Sequence, residues 1–110
     1  MNVEELVNTL LEDLTEELNT EPTFNDVALK KKIESAIREV RRIRNYPSTY
    51  TESQVESDLQ NYYSSIRNIA LYDYNLIGAE GESNHNENGI SRSFVDRKTL
   101  FHGIMPIAKF

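Results

Sequence analysis

Apolar residues recur at steps of three and four near the start of the chain: Val3, Leu6, Val7, Leu10, Leu11, Leu14 and Leu18. At about 100° per residue they fall in one stripe, with Glu5, Glu12 and Glu16 opposite. The spacing predicts an amphipathic helix over residues 2–19, with early acids at the positive end of its dipole. The stretch from Asn19 to Asn25, which contains Pro22, breaks it. A second stripe, Leu29, Ile33, Ala36, Ile37, Val40 and Ile43, predicts a helix from about Asp26 to Arg44, capped by Asn25 or Asp26. Glu34 precedes Arg38 by four residues, the favourable order for an ion pair on a helix. Pro47 stops this helix.

Thr51 and Gln54 match a capping box and open a third helix. Its broad apolar face holds Val55, Leu59, Tyr62, Tyr63, Ile66, Ile69, Ala70 and Tyr74, and it runs to about Tyr74 or Leu76. Gly78 is its natural stop. From Gly78 to Gly89 the chain is polar and lacks periodicity, as a loop does. Alternation from Ile90 to Phe94 predicts a short extended segment. Asp96 then caps a short helix through Leu100, Phe101 and His102, which Gly103 ends. The fold class is mainly α: a small bundle of three main helices, a long polar loop, a short extended segment and a short C-terminal helix. Residues 1–110 make a single domain, with an acidic helix in 1–24 and an apolar tail at 104–110.

Charge adds an asymmetry that the pattern does not show. Residues 1–24 hold seven acids and no base, whereas 25–45 hold seven bases and three acids. Lys30, Lys31, Arg38, Arg41 and Arg42 form a basic face on the second helix. Segments of opposite sign attract one another within a subunit or between subunits. Taken alone, these five residues read as a solvated face or a partner for the acidic first helix. A net charge of −6 argues against a dedicated nucleic-acid binder. With no cysteine, disulfides and zinc–thiolate sites are excluded. No apolar run reaches the roughly 20 residues of a membrane span. The acidic N-terminus is unlike a signal peptide. A location in the cytoplasm, or in something assembled there, is the expectation.

Candidate chemistry is thin. His85, Glu87 and their asparagines, with His102, match no metal-ligand spacing. No serine sits in a nucleophile elbow and no glycine motif cradles phosphate. The chain therefore reads as neither an enzyme nor a cofactor binder. Tyr62, Tyr63, Tyr72 and Tyr74 suit base stacking, but tyrosines at helical spacing more often serve a core or interface. Asp73 stands out, because it falls within the apolar stripe of the third helix. There it needs a partner, such as Arg92, Arg97 or amides near Gly89, unless the helix frays first.

One stretch is idiosyncratic in its wording: Arg67, Asn68, Ala70, Tyr72 and Asp73, then Asn86-Glu87-Asn88-Gly89-Ile90, then Arg92. From about Leu29 to the end the chain resembles the head–tail connector (adaptor) proteins of long-tailed double-stranded-DNA bacteriophages and prophages. That resemblance implies a non-enzymatic virion protein of the neck, assembled in the bacterial cytoplasm. It implies a homo-oligomeric ring under the portal, following the portal's twelvefold symmetry. Such a ring extends the DNA channel without sequence-specific DNA binding and carries the next neck or tail-completion protein. It also implies that the C-terminal tail, Ile104, Met105, Pro106, Ile107 and Phe110, holds the portal. Only this resemblance would set Lys30, Lys31, Arg38, Arg41 and Arg42 at a subunit interface or along a channel. Arg67, Asp73, Asn88, Gly89 and Arg92 would organise the loop. The alternative is a small helical regulatory protein that binds nucleic acid through its basic helix.

Overall fold

The computed structural model describes residues 2–22, 24–81 and 97–107. Among these the chain is mainly helical and contains no strand. Helix α1 spans Val3–Leu18, α2 Asp26–Arg44, α3 Glu52–Gln60 and α4 Tyr63–Gly81, followed by a 3-10 helix at Arg97–Phe101.

Local chemistry sets most of the boundaries. Asn2 and Glu5 close a capping box at the start of α1. The Asn25 side chain accepts from the amides of Val27 and Ala28 and so caps α2. Thr51 and Gln54 form the expected box on α3. At the other end of α2, Asn45 is left-handed, with φ 54° and ψ 61°, a conformation asparagine tolerates better than most residues.

Two expectations are corrected. The third helix is not continuous: α3 and α4 are separate, with a turn at Asn61 and Tyr62 between them. The amides of these two residues bond back to the carbonyls of Asp58 and Leu59, and Tyr62 then gives its own carbonyl to Ile66 as α4 begins. Gly78 does not stop α4, which continues to Gly81. No described glycine has a positive φ. Without that left-handed conformation a glycine weakens a helix, by about 1 kcal/mol relative to alanine, but does not end it. The proposed extended segment from Ile90 to Phe94, and Asp96 as a cap, lie outside the described residues.

The core is one apolar cluster shared by all four helices. Leu10, Leu14, Leu29, Ile33, Ala36, Val40, Leu59, Ile66, Ile69 and Ala70 are fully enclosed. Helix α2 lies against both α1 and α4. Its outer side therefore carries the charged residues that the core cannot take.

Candidate functional site

Three arginines join elements that are distant in sequence. Arg67 of α4 reaches α1, where its Nε lies 3.0 Å from an Asp13 carboxylate oxygen and its Nη2 meets Glu17. The Tyr63 hydroxyl donates to the same Asp13 at 2.9 Å. These hydrogen bonds, that of Arg67 foremost, hold the Asp13 carboxyl below its usual range. Among the described residues Arg67 tethers α4 to the acidic helix; the residues it is expected to organise lie outside them. Periodicity could not reveal this, since Asp13 and Glu17 look like ordinary solvated acids.

Arg97, which follows residues 82–96 in the sequence, bridges two helices. Its Nε and Nη2 donate to the two oxygens of Asp73 at 2.8 and 2.7 Å, a bidentate pair. Nη2 and Nη1 also reach Glu39 of α2 at 2.6 and 3.2 Å. The guanidinium also lies 5.2 Å from the centroid of the Phe101 ring. The Asp73 bond, then the Glu39 bond, drives the Arg97 pKa further up. Asp73 thus has one of its anticipated partners. Asn88, Gly89 and Arg92, the other proposed loop-organising residues, lie outside the described residues.

Arg44, the last residue of α2, forms the third junction. Its Nε and Nη2 each stand 2.7 Å from an Asp58 oxygen on α3, and the Tyr46 hydroxyl donates to Asp58 at 2.7 Å. The guanidinium also lies 5.0 Å from the centre of the Tyr62 ring. Burial pushes the Asp58 carboxyl up, but the bonds from Arg44 and Tyr46 and the Arg44 charge outweigh it and leave it lowered. For Tyr46 the balance is reversed: burial first, then Asp58, raises its pKa.

Arg44 also fixes the tail. Its Nη1 donates to the Met105 carbonyl at 2.6 Å, and the Ile107 amide donates to the Arg44 carbonyl at 2.8 Å. Ile104 is 5% exposed and belongs to the chain's own core, whereas Met105 is 56% exposed and Pro106 also faces outward. The tail therefore divides between core and surface. Phe110 lies outside the described residues.

On α2, Lys30, Lys31, Arg38 and Arg42 are exposed and form no ion pair among the described residues. The anticipated pair of Glu34 with Arg38 does not form. Arg41 stands 3.6 Å from Glu52 across exposed surface. Lys30, Arg38 and Arg41 also rim a groove of about 540 Å³ between α1 and α2, floored by Val3, Val7 and Ile37. The tyrosines act in packing and bonding rather than as an open stack. Tyr74 packs on Phe24, and its oxygen accepts from the Asn25 amide at 2.9 Å.

No described helix is long and apolar enough to cross a membrane. No curated protein and no solved structure gives a significant match. A family model, described as phage gp6-like head-tail connector protein, matches residues 8–107. These residues include α2, α3 and α4, most of α1 and all three arginine junctions, so the chain belongs to the phage gp6-like head-tail connector family, structural proteins of the phage particle.

Proposed function

We propose that this connector forms a closed ring of identical subunits beneath the portal, extends the DNA channel there, and grips the portal with its C-terminal tail. The next neck or tail-completion protein binds the opposite side of the ring. The observation that supports the grip is the state of Met105. The residue is 56% exposed, yet its backbone is tied down by Arg44 on one side and through Ile107 on the other. An apolar side chain presented from a fixed backbone has already met part of the ordering cost of binding. Pro106 keeps the segment from winding into a helix. An extended segment of this kind suits a sheet edge or an apolar groove on a partner.

Met105→Asp tests the reading with the core left alone. The variant is expected to melt within error of the parent and to lose attachment to portal-bearing, DNA-filled heads. Attachment equal to the parent's overturns the tail's role. Ending the chain at Gly103 is a less clean test, because it also removes Ile104 from the core.

A further inference from the structure

We infer that the outward basic stripe of α2 and the outward acidic stripe of α1 are two halves of one contact between copies of this chain. The internal ion pairs have already sorted the charges. Asp13 and Glu17 are taken by Arg67, Glu39 and Asp73 by Arg97, and Asp58 by Arg44. What remains is acidic on α1 and mainly basic on α2, where Asp26 and Glu34 are acids without an ion pair among the described residues. Glu12 and Glu16 of α1 and Arg38 and Arg42 of α2 are exposed, and none forms an ion pair among the described residues.

The two stripes match in spacing. Glu12 and Glu16 are four residues apart, as are Arg38 and Arg42, so each pair spans one helical turn, about 6 Å. Both carboxylates can then meet both guanidinium groups in a single helix-to-helix approach. Ser35, Arg38, Arg41 and Arg42 line a shallow depression of about 390 Å³ together with Glu39. Because Glu39 is held by Arg97, the depression faces outward as a basic surface able to receive a carboxylate. The occupant is a second copy of this chain, presenting Glu12 and Glu16.

Such a contact is heterologous. Each copy offers its acidic face to one neighbour and its basic face to another, the arrangement that generates rings. The inference rests on the ring proposed above and adds the side chains that close it. Rim charges of this kind act mainly on association rate and register, and their effect weakens with salt.

The test counts copies bound per portal-bearing, DNA-filled head for the parent and three variants. One variant carries Arg38→Glu with Arg42→Glu, the second Glu12→Arg with Glu16→Arg, and the third all four changes. Each single-face variant is expected to keep parental far-UV circular dichroism and to lose occupancy by about tenfold or more, because like charges then face each other. The four-fold variant is expected to recover, since its stripes are complementary again. Single-face variants that fill the neck like the parent overturn the inference, as does a folded four-fold variant that stays unassembled. Should a reversal disturb folding, Arg38→Gln with Arg42→Gln and a salt titration of the parent take its place, and salt-insensitive occupancy counts against the contact. Retention of random-sequence duplex DNA is measured in parallel. If basic-face reversal abolishes DNA retention and the four-fold variant does not assemble, the stripe faces DNA instead. A parent that binds each head as a lone copy removes the ring reading, an outcome distinct from parental rings that ignore the swap.

Discussion

Residues 3–76 and residues 97–107 are held to the same core by different forces. The helices before Gly81 contribute nearly all of the enclosed side chains, among them Leu10, Leu14, Leu29, Ile33, Leu59 and Ile66. The C-terminal segment contributes one, Ile104. It is otherwise secured by Arg97 on Asp73 and Glu39 and by Arg44 at Met105 and Ile107. Apolar burial is non-directional and scales with area. Bidentate arginine contacts fix geometry and depend on each partner's presence. The first region is thereby built for stability, and the second for placing a short segment at a defined position.

The comparison is most directly broken by enlarging the weakness of the first region. Leu29→Ala or Ile66→Ala should cost about 2–5 kcal/mol, the range for enclosed large-to-small changes, measured by denaturant unfolding. A cost below about 1 kcal/mol would show that the site collapses readily or is not core. Asp58→Ala comes next. It strands the Arg44 guanidinium and the Tyr46 hydroxyl together, and should cost about 2–3 kcal/mol, less than a fully buried pair. Hydrogen exchange should then quicken at Ile107 as well as at α3, because Arg44 holds both. Asp73→Ala is milder, about 1–2 kcal/mol, since Glu39 still engages Arg97. Its effect should concentrate in residues 97–107, and an equal rise of exchange throughout α1 would contradict the division.

Acid sharpens the same contrast. The carboxyls of Asp13 and Asp58 are held below the ordinary aspartate value of 3.8. A depressed carboxyl contributes stability above its unfolded pKa and loses it as pH falls through the folded value. The junctions should therefore hold at neutral pH and weaken below pH 3.8. Asp58→Asn should flatten the stability–pH curve in that acid range and, while lowering stability, leave the slope between pH 6 and 8 unchanged. The smallest effect is expected at Val27, 61% exposed on the first turn of α2. Val27→Ser should shift stability by no more than about 0.5 kcal/mol in a thermal melt.

The legibility of these features in the sequence follows the range of the forces. Helices α1 and α2 and the start of α3 are readable because their stripes and caps are local, down to Asn25 and the Thr51–Gln54 box. The break at Asn61 and Tyr62 is not. Apolar spacing runs through it without a glycine or proline, and Arg44, 14 residues before Asp58, grips both Asp58 and the Tyr62 ring beside the turn. Asp73 could be singled out as a carboxylate needing a partner, because its place on an apolar stripe is a local anomaly. Its choice of Arg97, and the pairing of Arg67 with Asp13 across a separation of 54 residues, are set by packing. In the tail, Ile104 and Met105 look alike as apolar neighbours. Only the fold shows that one is enclosed and the other presented.

The left-handed Asn45 makes α2 a ruler. Arg44 is the last helical residue, and its carbonyl, with no later amide of the helix to accept from, receives Ile107 instead. One residue inserted into or deleted from α2 between Asn25 and Asn45 would turn position 44 by about 100° and shift it by about 1.5 Å. The tail's anchor would swing to another side of the bundle, even with every tail residue unchanged. The course of residues 104–107 is thus written in the length of a helix some 60 positions earlier, at Arg44, the hydrogen-bond partner of Met105 at a separation of 61.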